Sequence, residues 1–167
     1  MKDGAKGYSA RSNPLGKIPA LEWQPDQYLF DSPVICEYLD QLGAFPILSK
    51  DTHQHYLQKW QHALGDGLSD AVYNYRQESV RPENLHWPEM IERHEAAILS
   101  AVETLEKISE WLGEPWTFGN VSIICALDYA SYRAGHLNWQ ERAPKLSVWH
   151  AGFKRDAAYS DTYGYSA

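Results

Sequence analysis

Cysteine is scarce in this sequence, with Cys36 and Cys125 the two examples among 167 residues. A disulfide-stapled secreted domain needs several pairs, and two thiols in separate segments are typical of a protein kept reduced in the cytoplasm. No apolar run approaches the roughly 18 residues of a membrane-spanning helix. The opening residues also lack the apolar centre of a secretory signal. We therefore expect a cytoplasmic protein with no membrane partner.

Positive charge is also in short supply. The chain has 15 Lys and Arg against 22 Asp and Glu, and its formal net charge is -7. A general nucleic-acid binder concentrates basic side chains on one surface, so we expect no nucleic-acid partner. Hydrophobic residues make up 44% and charged residues 22% of the chain. These fractions are ordinary for a folded globular protein and exclude the disordered class.

The composition and the periodicity of the chain change near residue 50. Proline and glycine interrupt the first 46 residues at short intervals, whereas long segments of helical periodicity follow residue 51. We predict domains at 1–46 and 52–167, joined by a short linker. The predicted fold class is α+β but mostly α, with a β-hairpin and one helix followed by an all-helical domain.

The predicted hairpin and its helix carry local signals. Residues 18–23 and 28–30 are predicted strands, with a turn-forming Gln-Pro-Asp segment between them. Asp31 and Ser32 are residue types that cap helix N-termini, and Pro33 suits a first turn, where its missing N–H leaves nothing unsatisfied. The apolar stripe that follows ends at a glycine, which predicts the end of the helix.

The second part contains four predicted helices, at residues 51–78, 88–112, 117 onward and 144–153. The third of these is apolar on nearly all sides, so we expect it to be the central buried helix. Cys125 lies within it. We interpret this cysteine, like Cys36 in the helix of the first part, as a small apolar filler rather than a nucleophile.

Two motifs bring a family resemblance. Residues 13–21 read Asn-Pro-Leu-Gly-Lys-Ile-Pro-Ala-Leu, and residues 29–39 read Leu-Phe-Asp-Ser-Pro-Val-Ile-Cys-Glu-Tyr-Leu. In this order and at this spacing they resemble the glutathione transferase family, most of all its cytosolic bacterial and fungal members. The similarity continues through 63–68, 81–83 and 117–133. It implies a thioredoxin-like first domain, an all-helical second domain and a homodimer.

The resemblance also implies a glutathione site. In the family the bond before the motif proline, here Pro19, is cis, and the main chain of Ile18 pairs with the cysteinyl part of glutathione like an added strand. Asp31 and Ser32 match the acidic-Ser pair that holds the γ-glutamyl end at a helix N-terminus. Lys17 is the candidate partner of the glycine carboxylate. The alternative for Asp31 and Ser32 is that they only cap the helix.

Four residues of the first long helix are further candidates. Tyr73 and Arg76 are candidates for lining a pocket that takes an apolar electrophile. Relatives place a polar residue of this helix near the γ-glutamyl amine bound to the partner subunit, which makes Asp66 and Asp70 candidates for that contact. Solvated or capping acids are the equal alternative for these two residues.

The catalytic residue of the family falls in a segment that we do not find. The family's first domain opens with a strand, a helix and a strand before the motif that starts here at Asn13, and twelve residues precede it. We therefore expect an N-terminally truncated thioredoxin-like domain without the segment that carries the catalytic Ser, Tyr or Cys, and we assign no catalytic residue. We interpret Tyr8, Ser9 and Ser12 as loop hydroxyls.

Two functions are compatible with these motifs. The first is glutathione binding with conjugation of its thiolate to an apolar electrophile, given the missing segment. The second is a non-catalytic glutathione-binding or helical interaction module. Glutathione enters as a co-substrate, and no metal or redox cofactor is implied. We interpret His53, His55 and His62 as exposed side chains rather than metal ligands.

Overall fold

A computed structural model of the chain describes residues 12–113 and 116–164. The chain divides into two compact units, with the division between Ser49 and Lys50. The described residues of the first unit form a two-stranded sheet and a helix. Those of the second unit are helical, without a strand.

The first unit contains an antiparallel hairpin of β1 (Leu21–Gln24) and β2 (Gln27–Leu29). Leu21 pairs with Leu29, and a register irregularity follows Glu22. The first strand thus begins three residues later than predicted. Proline has no N–H to donate to a ladder, so Pro19 cannot take part in regular pairing. At the turn, Asp26 adopts a positive φ of 57°, a conformation that Asp tolerates better than most residues.

The helix that follows the hairpin, α1 (Ser32–Leu42), begins and ends where the sequence predicts. The carboxylate of Asp31 accepts a hydrogen bond from the main-chain N–H of Ser32 at 2.7 Å, which caps the first turn. At the other end, the N–H of Gly43 donates to the carbonyls of Leu39 and Asp40. The fold of this helix is therefore specified by its own termini.

The second unit contains six helices in its described residues: α2 (Thr52–Ser79), α3 (Pro88–Ile108), α4 (Phe118–Arg133), α5 (Trp139–Arg142), α6 (Pro144–Phe153) and α7 (Ala157–Ser160). The predicted boundaries hold within one residue for α2, α4 and α6. The segment predicted as one helix to residue 112 instead ends at Ile108 and tightens into a 3₁₀ turn, Ser109–Trp111. The short α5 and α7 were not predicted, because four residues carry no helical period.

Helix α4 is the centre of this unit, as its sequence predicts. Ile123, Ala126, Leu127 and Ala130 are all at most 1% exposed. The prediction for the cysteines was wrong, because Cys125 on α4 and Cys36 on α1 are both exposed. Neither thiol therefore fills the core.

Helices α2 and α4 approach each other closely at two glycines. A Cβ atom on Gly65 would lie 2.7–2.8 Å from main-chain atoms of Ser122 and Ile123, and one on Gly119 would lie 2.8 Å from the carbonyl oxygen of Gln58. Real Cβ atoms do not come this close to main-chain atoms. The absence of a side chain at these two positions therefore permits the crossing that builds the core.

The N-terminus of α4 is fixed by hydrogen bonds. The hydroxyl of Thr117 accepts from the N–H of Asn120 at 3.2 Å, and the Asn120 side-chain amide donates to the carbonyl of Leu112 at 2.8 Å. The cap thus ties the central helix to the end of the preceding segment. Across the described ranges, no helix combines the length and apolar character that crossing a bilayer requires.

Candidate functional site

Asn13 organises the turn that precedes the first motif. Its side-chain amide donates to the carbonyl of Lys17 at 2.9 Å, and its Oδ1 accepts from the N–H of Leu15 at 2.9 Å. Its own carbonyl accepts from the N–H of Gly16 at 2.9 Å. Gly16 has a φ of +66°, which a glycine adopts without steric penalty. Asn13 is 3% exposed, so the turn is held from its buried side.

This turn delivers Lys17, Ile18 and Pro19 to the surface. The Ile18–Pro19 peptide bond is cis, as the resemblance implies. Ile18 is 86% exposed, and it forms no hydrogen bond with any residue in the described part of the chain. Its main-chain N–H and carbonyl are therefore available to an extended peptide ligand.

The second motif lies at the N-terminus of α1. Asp31 is exposed and Ser32 is half-buried. Asp31 uses Oδ1 for the cap, and its Oδ2 receives no hydrogen bond within the described residues. The N–H of Val34 and the hydroxyl of Ser32 likewise have no partner there. Donors at a helix N-terminus favour an anionic group, because the peptide dipoles add a partial positive charge.

The register of the hairpin brings these two motifs to the same end of the sheet. Leu21 on β1 faces Leu29 on β2. Because the strands are antiparallel, the residues just before Leu21 and just after Leu29 both lie at the open end of the hairpin. Pro19 and Asp31 are each two residues beyond this pair. The candidate site therefore combines a main-chain edge with a helix N-terminus.

A nucleophile is not provided by the thiol in this unit. Desolvation raises the pKa of Cys36 above its ordinary value. A raised pKa keeps the thiol protonated near neutral pH, and the thiolate is the reactive form. The geometry of the described residues can bind a peptide and its carboxylate, and we assign no catalytic group among them. Tyr8 and Ser9 lie outside the described residues, whereas Ser12 is buried.

The four candidates on the first long helix all lie on α2. The spacings from Asp66 to Asp70 and from Asp70 to Tyr73 are four and three residues, so these three side chains share one side of the helix. Asp70 and Tyr73 are exposed, and Asp66 and Arg76 are half-buried. Their predicted roles in binding stay predictions.

Two of the histidines on α2, His55 and His62, take part in ring packing. His62 stacks on Phe118 with ring centroids 4.7 Å apart, and His55 packs edge-on against Tyr56 at 5.4 Å. Within the ranges that the structure describes, no group of three or more His, Cys, Asp or Glu side chains is placed to hold a metal ion.

Sequence reasoning missed two positioning residues of the first unit. Asn13 belongs to the first motif but received no role of its own, although an Asn before Pro is a turn signal. Asp40 was not singled out, yet its carboxylate accepts from the N–H groups of Ile47 and Leu48 at 2.7 and 3.1 Å. No local pattern signals the second contact, because it depends on how the loop folds back onto α1.

Comparisons with known proteins cover both units. The family model for the glutathione S-transferase N-terminal domain matches residues 6–42, and the model for the C-terminal domain matches residues 88–152. The GST-like protein YibF of Escherichia coli K12 is 28% identical over 141 residues, which are 82% of this chain and 70% of that protein.

Solved structures agree with these matches. A glutathione transferase family member from Pseudomonas fluorescens Pf-5, solved with bound glutathione, is 30% identical with a TM-score of 0.89, over 96% of this chain and 80% of that one. A glutathione S-transferase from Methylobacillus flagellatus KT, also solved with glutathione, is 28% identical with a TM-score of 0.88, over 94% and 80% of the two chains. On the strength of both domain matches and of this similarity along its length, the chain belongs to the glutathione transferase family.

Proposed function

We propose that this chain binds glutathione at the open end of the hairpin in its first unit. The observation that carries the proposal is the juxtaposition of an exposed main-chain edge at Ile18 with the N-terminus of α1. Relatives solved with glutathione bound cover most of the chain at 28–30% identity. The proposal therefore rests on local geometry and family membership together.

Each part of the tripeptide has a matching group. The N–H and carbonyl of Ile18 pair with the main chain of the cysteinyl residue. The Ser32 hydroxyl and the free N–H of Val34 donate to the γ-glutamyl carboxylate, and Asp31 Oδ2 accepts from the ammonium group. Lys17 is placed before the motif proline, where its ammonium reaches the glycine carboxylate.

The proposed activity is conjugation of the bound thiolate to an apolar electrophile. The sulfur forms a carbon–sulfur bond, and the leaving group departs with its electron pair. We further propose a homodimer, because Tyr56 and Trp60 are large exposed apolar side chains on α2. In that dimer Asp66 and Asp70 approach the γ-glutamyl amine of the partner subunit, and Tyr73 and Arg76 line the electrophile pocket. We also propose that the protein works in the cytoplasm.

The second candidate function is glutathione binding without turnover. The described residues of the site include no assigned group that would ionise the thiol of glutathione, and the thiolate is the reactive form. The two candidates differ in one measurable property, the rate of conjugation.

Binding is tested by calorimetric titration of the full chain with glutathione, comparing Ser32→Ala with a matched Ser100→Ala control. Ser100 is exposed in the middle of α3. Ser32→Ala leaves the Asp31 cap in place, so it separates ligand contact from capping. A hydrogen bond to a charged group contributes about 1.5–3 kcal/mol, and we therefore expect roughly tenfold or more weaker binding for Ser32→Ala. Unchanged binding in that variant would contradict the site.

Conjugation is tested by following the reaction of glutathione with chlorodinitrobenzene. Sedimentation of the same sample measures whether the protein is the proposed homodimer. Turnover that is saturable in glutathione supports the transferase. Saturable binding without turnover supports the non-catalytic binder. Absence of binding in the calorimeter contradicts both candidates.

A further inference from the structure

The helical unit contains a cavity, and the described residues that line it all belong to this unit. Its volume is about 360 Å³, which falls within the range of small-molecule pockets. It is bounded by α4 on one side and by residues 157–164 on the other. Among the described residues, the lining side chains are mostly apolar or aromatic with one carboxylate, and they include Trp116, Ile124, Cys125, Asp128, Tyr159 and Tyr163.

The carboxylate belongs to Asp128, which is 6% exposed. Its Oδ1 accepts from His150 Nε2 at 2.9 Å and from the Tyr159 hydroxyl at 3.0 Å. Both hydrogen bonds from the described residues end on this oxygen, and Oδ2 receives none from them. Oδ2 is not among the fully enclosed polar atoms that lack a partner in the described part of the chain, so it keeps some accessible surface. Asp128 thus adds an acceptor with room for a further donor to the lining of a largely apolar cavity.

Both described donors to Asp128 use the same oxygen. A carboxylate only accepts, so His150 donates through its Nε2–H, and the contact is an ion pair when the ring is protonated. Desolvation and the adjacent Asp128 raise the pKa of Tyr159, so its phenol keeps its proton and acts as a donor. No Lys or Arg occurs among the described residues that line the cavity. The site therefore favours a ligand that supplies both a hydrogen-bond donor and a positive charge.

We propose that this cavity binds a small apolar amine, with the ammonium group donating to Asp128 Oδ2 and the apolar body lying against the aromatic side chains. Trp116 and Tyr163 provide ring faces that attract cations and pack against rings. The described lining residues of this cavity all belong to the second unit, whereas the proposed glutathione site is built from residues of the first.

Other ligand classes fit less well. A carboxylic acid places a like charge beside Asp128 in a cavity that lacks a described cation, which is unfavourable. A neutral alcohol supplies the donor without the positive charge, so it lacks the Coulomb attraction between an ammonium group and the carboxylate. The expected order of affinity is therefore amine, then alcohol, then acid.

The test uses three ligands with one indole ring: tryptamine, tryptophol and indoleacetate. Each is titrated into the full chain by calorimetry. We expect tryptamine to bind about tenfold more tightly than tryptophol, and indoleacetate to bind most weakly. Equal affinities, a preference for the acid, or no tryptamine binding at millimolar concentration would overturn the assignment.

A pair of variants tests the role of the carboxylate. Asp128→Asn removes the charge with little change in shape, and Asp161→Asn removes a carboxylate from the same C-terminal segment outside the cavity lining. We expect Asp128→Asn to weaken tryptamine binding about tenfold or more, and Asp161→Asn to leave it unchanged. Equal affinity in both variants contradicts the proposal.

A footprint on the unmodified protein locates the ligand even if Asp128→Asn does not fold. Cys125 lines the cavity and is exposed, whereas Cys36 is exposed in the first unit. Saturating tryptamine should slow alkylation of Cys125 by N-ethylmaleimide and leave the rate at Cys36 unchanged. Each rate is compared with its own ligand-free value, because the two thiols lie in different surroundings. An unprotected Cys125 places the amine elsewhere and overturns the proposal.

Discussion

The two units of this chain differ sharply in how much apolar surface they bury. Of the twenty buried hydrophobic residues in the described part of the chain, Ile35 alone belongs to the first unit. The other nineteen lie in the helical unit, most of them in one continuous cluster around α4. Since burial of apolar surface is the main source of stability, the helical unit is the scaffold, and the first unit carries the proposed glutathione site.

The first unit instead leaves its apolar side chains accessible. Trp23 packs edge-on against Tyr38 with ring centroids 6.0 Å apart. Together with Leu29 and Val34 these rings line an open groove of about 370 Å³ between the hairpin and α1. A two-stranded hairpin is marginally stable by itself. The order of this unit therefore depends on its local hydrogen bonds at Asn13, Asp31 and Asp40 more than on a core.

The largest effect is expected where the scaffold itself is broken, at the crossing of α2 and α4. In Gly65→Ala the new Cβ would overlap main-chain atoms of Ser122 and Ile123. Main-chain atoms cannot move aside as a flexible side chain can, so the helices must separate and lose core contacts. We expect the free energy of unfolding to fall by about 3 kcal/mol, measured by urea denaturation followed by circular dichroism.

Gly67→Ala is the matched control for this prediction. Gly67 is exposed on the same helix, and a Cβ there meets nothing within 4 Å. Alanine has the higher helix propensity, so this variant should be more stable by about 0.5–1 kcal/mol. If both variants behave alike, close approach at Gly65 is not what positions the two helices.

The second prediction concerns amide hydrogen exchange, which compares the two units in a single sample. Opening free energies range from near zero at exposed segments to the global value in a core. We expect amides in residues 18–42 to exchange at least about tenfold faster than those in residues 123–130 of α4, because the former unit has almost no buried apolar cluster. Slow exchange throughout 18–42 in a monomer would contradict this comparison.

The sequence predicts features that depend on neighbouring residues better than features that depend on tertiary contacts. The start of α1 was predictable because Asp31, Ser32 and Pro33 act within one turn. The central position of α4 was predictable because its apolar residues surround the whole helix. The candidate site came from the family motifs, since hairpin spacing alone would not have led to the proposal that Ile18 and Ser32 bind one ligand.

The features that escaped prediction depend on tertiary partners. Gly65 looks like any helical glycine until the crossing with α4 is known. Asp128 contacts His150 and Tyr159, which are 22 and 31 residues away in sequence, so no spacing rule connects the three. Cys125 was misread for the same reason. An apolar helix is not buried on every side, and the side left open is decided by the segment that packs beside it.

The smallest effect is expected at Glu78, in the last turn of α2. Like Asp40 on α1, Glu78 accepts hydrogen bonds from the segment that follows its helix. Its carboxylate accepts from Arg81 Nη1 at 2.9–3.0 Å and from the N–H of Trp87 at 2.8 Å. These bonds, with that from Arg81 the larger, lower the pKa of Glu78. A lowered folded-state pKa means that the stabilisation is present above the ordinary carboxyl pKa and is lost as the pH falls through the lowered value.

Glu78→Gln should therefore be slightly less stable than the native chain at neutral pH, and the difference should vanish as the pH is lowered. At low pH the native carboxyl is protonated and resembles the amide, so the two proteins converge. Urea denaturation across a pH series measures the difference, and carbon NMR of the carboxyl reports its titration. A difference that persists in acid would assign the effect to the shape of the amide rather than to charge. In that case the helix carboxylates Asp40 and Glu78 would both act on the following loop as hydrogen-bond acceptors alone, and the two units would differ in apolar burial.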